Sequence, residues 1–191
     1  MGDPKRLRKK YDTPVHPWNA ENIEAEKELS KEYSLKNKKE LWKMKSLLKK
    51  YKDLTKKLIA VKTEQGEKEK KQMMDKLQRW GLIQAGAELD DVLGLEVKDI
   101  MERRLQSLVF RRGLARSMGQ ARQFIVHRHI MVGDKKITFP SYITSQEEEA
   151  QIRFDPHSSL SKEDHPERVN LAKEVAEEAQ AIKIKKKEEP G

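Results

Sequence analysis

The sequence predicts an α+β protein in which a helical region precedes a small module of two helices and an antiparallel β-hairpin. Residues 23–62 are dominated by Lys, Glu and Leu and contain no Gly or Pro, a composition that favours helix. Between residues 101 and 127, apolar side chains recur at three- and four-residue intervals, which predicts two short helices. From His129 the apolar period changes to two around Gly133-Asp134, which predicts the hairpin.

These patterns divide the 191 residues into four segments. We expect an extended basic arm over 1–22, a helical domain over 23–95, the helix-and-hairpin module over 96–155 and a mobile or helical charged tail over 156–191. Residues 1–62 carry a net charge of +9 and residues 101–144 a net charge of +7, whereas the stretches between and after them are acidic. Two separate basic blocks predict a polyanionic partner that the chain contacts at two places.

The N-terminal arm combines cations with aromatic rings. Tyr11, His16 and Trp18 lie among or just after its basic residues, and unstacked RNA bases pack on such rings. We therefore expect the arm to become ordered on RNA and to contact it through Lys5, Arg6, Arg8, Lys9 and Lys10. A disordered terminus that only aids solubility is the alternative.

A long helix is expected to begin after Asn37, whose side chain can cap it together with Glu40. An apolar stripe at helical spacing predicts its buried face: Leu41, Met44, Leu48, Tyr51 and Leu58, with Thr55 as the one polar step. The opposite face is rich in lysine, and we expect Lys43, Lys49 and Lys50 to contact RNA phosphates. A coiled-coil dimer is the alternative use of the stripe.

The first helix of the module is expected to stop at Gly113, where glycine tolerates a left-handed conformation and Leu114 can fold back on the helix. Its apolar face would contain Met101, Leu105, Leu108 and Val109. Ser117 then caps a second helix, and Gln120 completes a capping box. That second helix would bury Met118, Ala121, Phe124 and Ile125.

The hairpin is expected to turn at Gly133-Asp134. Beyond the turn, Ile137 and Phe139 would alternate with polar residues until Pro140 ends the strand. An acidic turn over Glu147–Glu149 and a last strand over Gln151–Phe154 would then close the module.

Arginine dominates the charge of this module. Residues 101–143 contain nine Lys and Arg, seven of them Arg, against only two acidic residues. Arginine presents a planar fork that suits phosphate oxygens, and its guanidinium plane stacks on bases. Because solvated faces usually mix both signs of charge, this excess predicts an RNA-binding surface.

The same stretch resembles the RNA-binding module named after small-subunit ribosomal protein S-four. The matching pieces are Arg104-Leu105, Gly113-Leu114-Ala115-Arg116-Ser117, Ala121-Arg122-Gln123-Phe124-Ile125, His129-Ile130-Met131-Val132 and Pro140-Ser141-Tyr142. The N-terminal arm also resembles the start of archaeal members of the S-four ribosomal family, so the resemblance covers about residues 1–155. It implies a structural constituent of the small ribosomal subunit, found in the cytoplasm.

The resemblance further implies direct, early binding to small-subunit ribosomal RNA, organisation of the subunit body and a contribution to translational accuracy. The implied protein partners are neighbouring small-subunit proteins, notably the S-five family protein, and messenger RNA near its entry is a further expected contact. Within the module, the residues expected to contact RNA are Arg103, Arg104, Arg111, Arg112, Arg116, Ser117, Gln120, Arg122, Gln123, His127, Arg128, His129, Lys135, Lys136, Ser141 and Tyr142.

Several other classes of function find no support in the sequence. The chain has no cysteine, which excludes disulfides, thiol catalysis and Cys-ligated zinc. His127 and His129 are the only close histidine pair and lack a third ligand, so no metal or other cofactor is expected. We expect no enzyme, because no nucleophile motif or phosphate-binding glycine loop occurs, and no membrane span, because no apolar run is long enough.

Two alternative functions fit the same residues. Residues 108–126 also fit a helix-turn-helix DNA-binding regulator, with Arg122 and Gln123 facing a major groove. A non-ribosomal RNA-binding protein could carry the same module.

Overall fold

The part of the chain that the structure describes contains eight α-helices, three short strands and a short 3-10 helix, Ser159–Ser161. The structure is a computed structural model that describes residues 2, 9, 11–61, 63–162 and 165–167. Lys5, Arg6, Arg8 and Lys10 of the arm, and the tail from residue 168 onward, therefore lie outside the described residues. The chain divides into two units, Met1–Arg103 and Arg104–Gly191. The four-segment division expected from the sequence stays a prediction.

The first unit consists of helices. They are α1 (Ala20–Glu32), α2 (Lys38–Ala60), α3 (Glu64–Arg79), α4 (Leu89–Gly94) and α5 (Val97–Glu102). The Asn37 side chain accepts a hydrogen bond from the Glu40 N–H group at 3.2 Å, which confirms the predicted start of α2. Thr63 caps α3 in the same way, through the N–H group of Gly66.

Helix α2 is the centre of this unit, because the other helices α1, α3, α4 and α5 all pack against it. Its apolar stripe is buried as predicted: Leu41, Met44, Leu48, Tyr51 and Leu58, together with Thr55. The Thr55 hydroxyl donates to the carbonyl of Tyr51 one turn earlier at 2.9 Å, so the one polar step in the stripe has a hydrogen-bond partner.

A buried carboxylate fixes α1 to α2. Glu26 is 3% exposed, and its Oε1 accepts hydrogen bonds from Trp42 Nε1 at 2.9 Å and Lys45 Nζ at 3.0 Å. Lys38 Nζ lies 3.5 Å from the other oxygen. Burial alone would raise the pKa of Glu26, but these hydrogen bonds and charges more than offset it and hold the pKa below its ordinary value.

The second unit contains helices α6 (Leu105–Arg111), α7 (Met118–Val126) and α8 (Gln146–Ala150), and strands β1 (Ile130–Val132), β2 (Lys135–Lys136) and β3 (Ile152–Phe154). The strands form an antiparallel sheet in the order β2-β1-β3, and α6 packs against α7. Buried residues of both helices and of the sheet, among them Leu105, Ile125 and Ile130, share one core. The α+β fold predicted from the sequence is confirmed.

Three local expectations for this unit need correction. The apolar run from Met101 is interrupted because Arg104 is extended and forms a β-bridge with Ile143, so α5 and α6 are separate helices. Strand β2 is only two residues long, and Phe139, expected to alternate within it, is 71% exposed in a loop. The expected acidic turn is helix α8, capped by Ser145.

Replacing Ser117 with Ala should lower the free energy of unfolding of the second unit by about 1 kcal/mol. The Ser117 hydroxyl accepts the N–H group of Gln120 at 3.2 Å, and this bond satisfies one of the free amides at the start of α7. Hydrogen exchange of the β1 and β3 amides would measure the change, and Ser159→Ala, at an exposed serine of the same unit, serves as the control. Unchanged protection in Ser117→Ala would contradict the assigned cap.

Candidate nucleic-acid interface

Most of the residues predicted to contact RNA are exposed. In the second unit the exposed ones are Arg111, Arg112, Arg116, Ser117, Gln123, His127, Arg128, Lys135, Lys136 and Ser141. The half-buried ones are Gln120, Arg122, His129 and Tyr142. In the first unit, Lys9, Lys43, Lys49 and Lys50 are exposed and Arg103 is half-buried. The contacts with RNA themselves stay predictions.

Arg104 differs from the other predicted contacts because only 1% of it is exposed. It lies at the N-terminal end of α6, where the chain is extended and pairs with Ile143. A guanidinium that is buried to this degree does not present its fork to a ligand. We therefore remove Arg104 from the set of direct contacts.

A polar network positions the start of α7 and the arginine on it. Arg122 Nη1 lies 3.5 Å from Gln106 Oε1, and Gln106 Nε2 donates to the carbonyl of Met118 at 2.9 Å. Gln120 Oε1 accepts the N–H group of Arg116 at 2.6 Å. The predicted capping box is thus shifted by one residue, because Gln120 reaches the residue before the cap. Arg116 and Arg122 stand on backbone that is fixed by hydrogen bonds, which preorganises them for binding.

Helices α6 and α7 end in the same backbone motif, but different residues occupy the left-handed position. After α6, Gly113 has a φ of 67° and its N–H group donates to the carbonyl of Phe110 at 2.9 Å. After α7, Arg128 has a φ of 65°, and its backbone N–H group donates to the carbonyl of Ile125 at 3.0 Å. In each case the next N–H group reaches one residue further back, as in a Schellman cap. The sequence predicted the first stop but not the second.

Arg128 is therefore an exposed cation on strained backbone. An L-residue in the left-handed region costs roughly 1–2 kcal/mol, a cost that a glycine at the same position avoids. Non-glycine residues in this region cluster at functional sites, where the surrounding structure holds them. Here the two backbone hydrogen bonds of the cap hold Arg128, which supports a binding role for its side chain.

Replacing Arg128 with Gly should raise the free energy of unfolding of the second unit by about 0.5–1 kcal/mol, because the strain is relieved. The same variant should bind RNA several-fold more weakly. Gly113→Ala, at the equivalent position after α6, should instead destabilise the unit by about 1 kcal/mol. Hydrogen exchange and gel-shift titration together measure both effects. Unchanged RNA affinity in the Arg128→Gly variant would exclude Arg128 from the interface.

His129 and Lys136 have partners within the module. His129 Nδ1 lies 2.7 Å from Ser158 Oγ, and its ring stacks beside that of His127. Lys136 forms an ion pair with buried Asp155, and its hydrogen bond to Asp155 holds the pKa of that carboxyl below its ordinary value. Both side chains thus bind the segment that follows β3, through Ser158 and Asp155. Only their remaining exposed surface is open to a ligand.

The segment Pro140-Ser141-Tyr142 has a structural role that the sequence did not predict. The carbonyls of Tyr142 and Pro140 accept the N–H groups of Leu105 and Gln106, at 2.7 and 3.3 Å, and so cap the start of α6. The Tyr142 hydroxyl donates to Glu148 at 2.7 Å, which raises the pKa of Tyr142. Of the predicted contacts in this segment, Ser141 is the exposed one.

Phe139 is a candidate contact that the sequence pattern missed. The backbone at Phe139 and directly after it is held by hydrogen bonds, because the Phe139 carbonyl accepts a hydrogen bond from the Tyr142 N–H group and the Pro140 carbonyl caps α6. The ring itself is 71% exposed, close in sequence to Lys135 and Lys136. A fixed, exposed aromatic ring among cations suits stacking on an unpaired base.

Tyr11 and Asp12 of the arm contact α2. The Tyr11 ring stacks on Trp42 with centroids 6.2 Å apart, and Lys9 Nζ lies 4.9 Å above the Tyr11 ring. The Asp12 N–H group donates to Ser46 Oγ at 2.8 Å. Tyr11 therefore anchors the arm to the helix, whereas the Trp18 ring is 90% exposed, and its stacking on RNA stays a prediction.

The described residues offer neither a metal site nor a membrane-spanning helix. Among them, no group of three or more His, Asp or Glu residues could hold a metal ion. No described helix is both long enough and apolar enough to cross a membrane.

Two capped helices that carry exposed arginines beside a small antiparallel sheet define a class of RNA-binding module. The family model for the S4 domain matches residues 103–149, which span α6, α7, the hairpin and most of α8.

Whole-chain relatives extend this match. Small ribosomal subunit protein uS4 of Methanococcus aeolicus is 52% identical over 92% of this chain and 99% of its own length. The proteins of the same name from Methanococcus maripaludis strain C5 and Methanococcus vannielii are 50% and 49% identical, each over 91% of this chain and 98% of their own length. The chain belongs to the uS4 family.

Proposed function

We propose that the chain is a structural constituent of the small ribosomal subunit, where it binds small-subunit ribosomal RNA directly in the cytoplasm. Membership of the uS4 family over nearly the whole chain carries this proposal. It does not favour a helix-turn-helix regulator, in agreement with the sheet that directly follows α7. In this proposal the chain organises the small subunit and catalyses no reaction.

Two basic surfaces support RNA as the direct ligand. The second unit presents arginines on capped, hydrogen-bonded helices, which suits the recognition of one folded RNA shape. The first unit presents exposed lysines along α2, which suits phosphates in varied geometry. The arginines then supply selectivity, and the lysines together with the arm supply affinity.

Finer aspects of the proposal concern the position of the chain in the subunit. We place it among the proteins that bind early and organise the subunit body, next to the S-five family protein and near the messenger RNA entry. Such a position would let the chain influence translational accuracy.

Sedimentation of small subunits at high salt tests the proposal. The tagged chain should remain with the subunit, whereas its binding to isolated small-subunit RNA should weaken steeply as salt rises. The logarithm of affinity should fall by roughly 0.7–0.9 per decade of salt for each phosphate contact. If the chain binds structured RNA but never enters the subunit, the non-ribosomal alternative replaces this proposal.

A further inference from the structure

One surface of the first unit differs in character from the lysine face. A groove of about 440 Å³ lies among α1, α2 and the start of α5. Leu48 of α2 and Leu95 are buried at its base, and Leu29 and Val97 are half-buried along its sides. The groove therefore has an apolar floor that is open to solvent.

Acidic side chains border this apolar floor. Glu28 and Glu32 of α1 and Glu96 before α5 line the groove, against Lys52 and Lys98. Lys98 Nζ lies 3.9 Å from Glu32, so one of the two lysines is already paired. The border is thus acidic within a unit that contains 25 Lys and Arg against 19 Asp and Glu.

The acidic border continues along α1. Glu21, Glu24, Glu28 and Glu32 are all exposed and recur at three- and four-residue intervals. Like charges at this spacing repel one another by a few tenths of a kcal/mol per pair. On this helix the four exposed glutamates outnumber the two exposed lysines, Lys27 and Lys31, so the surface favours a cationic ligand over RNA phosphates.

We propose that this groove binds an extended segment of a neighbouring small-subunit protein in which aliphatic side chains alternate with Lys or Arg. The aliphatic side chains would fill the floor formed by Leu29, Leu48, Leu95 and Val97. The cations would meet Glu28 and the other carboxylates of the border. This inference rests on the proposed place of the chain in the small subunit, and it assigns the two sides of the first unit to different partners.

Site-specific photocrosslinking in assembled subunits tests the inference. A photoreactive benzoylphenylalanine is placed at Ala25, which is exposed and lines the groove, and in a second variant at Lys50, on the lysine face. The Ala25 variant should crosslink to a protein segment that mass spectrometry identifies as basic and aliphatic. The Lys50 variant should crosslink to RNA. Crosslinking of the Ala25 variant to RNA, to an acidic segment or to no protein overturns the inference.

A charge reversal shows whether the acidic border recruits the segment. Glu28→Lys, introduced into the Ala25 crosslinking variant, should lower the yield of the protein crosslink several-fold. Asp75→Lys, an equal change of charge on exposed α3, should leave the yield unchanged. Equal yields in both variants overturn the role of Glu28. Failure of the proposed function is separately visible, because the Lys50 variant would then give no RNA crosslink and the chain would be missing from the subunits.

Discussion

Replacing Arg116, Arg122 and Arg128 together with Ala should lower the affinity for small-subunit RNA by roughly 100-fold or more. Each hydrogen bond to a charged group contributes about 1.5–3 kcal/mol, and 1.4 kcal/mol corresponds to a tenfold change in affinity. The three side chains stand on backbone that the Gln120 and Gln106 hydrogen bonds and the α7 cap hold in place. Little backbone entropy is therefore lost when they bind.

A matched variant separates placement from total charge. Lys68, Lys70 and Lys71 on α3 are also exposed, and their replacement by Ala removes the same three charges. We expect that variant to lose only a few-fold in affinity. In gel-shift titrations, the arginine variant should also flatten the salt dependence by roughly 2–3 units of slope. Equal losses in the two variants would show that overall charge, not the arginine surface, governs binding.

The sequence could predict structure wherever the determinant is local. The cap at Asn37, the stop at Gly113 and the cap at Ser117 each depend on residues within one helical turn, and all three occur as expected. The buried stripe of α2 follows from helical spacing alone.

Tertiary contacts explain where the predictions fail. Phe139 has the period of a strand residue, but the following loop caps α6, so the chain leaves the sheet after Lys136. Arg128 takes the position that glycine fills after α6, because the surrounding backbone holds it there. No single-residue propensity predicts either arrangement.

The candidate site illustrates a second limit. From the sequence alone, an arginine or tyrosine that stabilises the fold cannot be distinguished from one in the same basic motif that binds a ligand. Burial removes Arg104 from the interface, and the hydrogen bond to Glu148 gives Tyr142 a structural role. Exposure and hydrogen-bond partners, which the sequence does not contain, separate these two uses.

Replacing Glu26 with Ala should lower the free energy of unfolding of the first unit by about 3 kcal/mol. Trp42 Nε1 would lose its acceptor in a partly buried position, and Lys38 and Lys45 would lose their counter-charge. Removing one partner of a buried charged pair typically costs about 3–5 kcal/mol, and the partial exposure of both lysines reduces that cost here. Glu26→Gln, which keeps one acceptor for Trp42, should lose less.

The effect of Glu26 should depend on pH in a defined direction. Because the folded protein holds the pKa of Glu26 below its ordinary value of 4.5, its stabilisation is present above that pH and disappears as the pH falls through the folded pKa. The difference in unfolding free energy between the unmodified protein and Glu26→Gln should therefore shrink between neutral pH and pH 3. Tryptophan fluorescence is the suitable probe, since all three tryptophans lie in the first unit. If the difference in unfolding free energy stays constant over this pH range, the carboxylate charge does not stabilise the packing of α1 on α2.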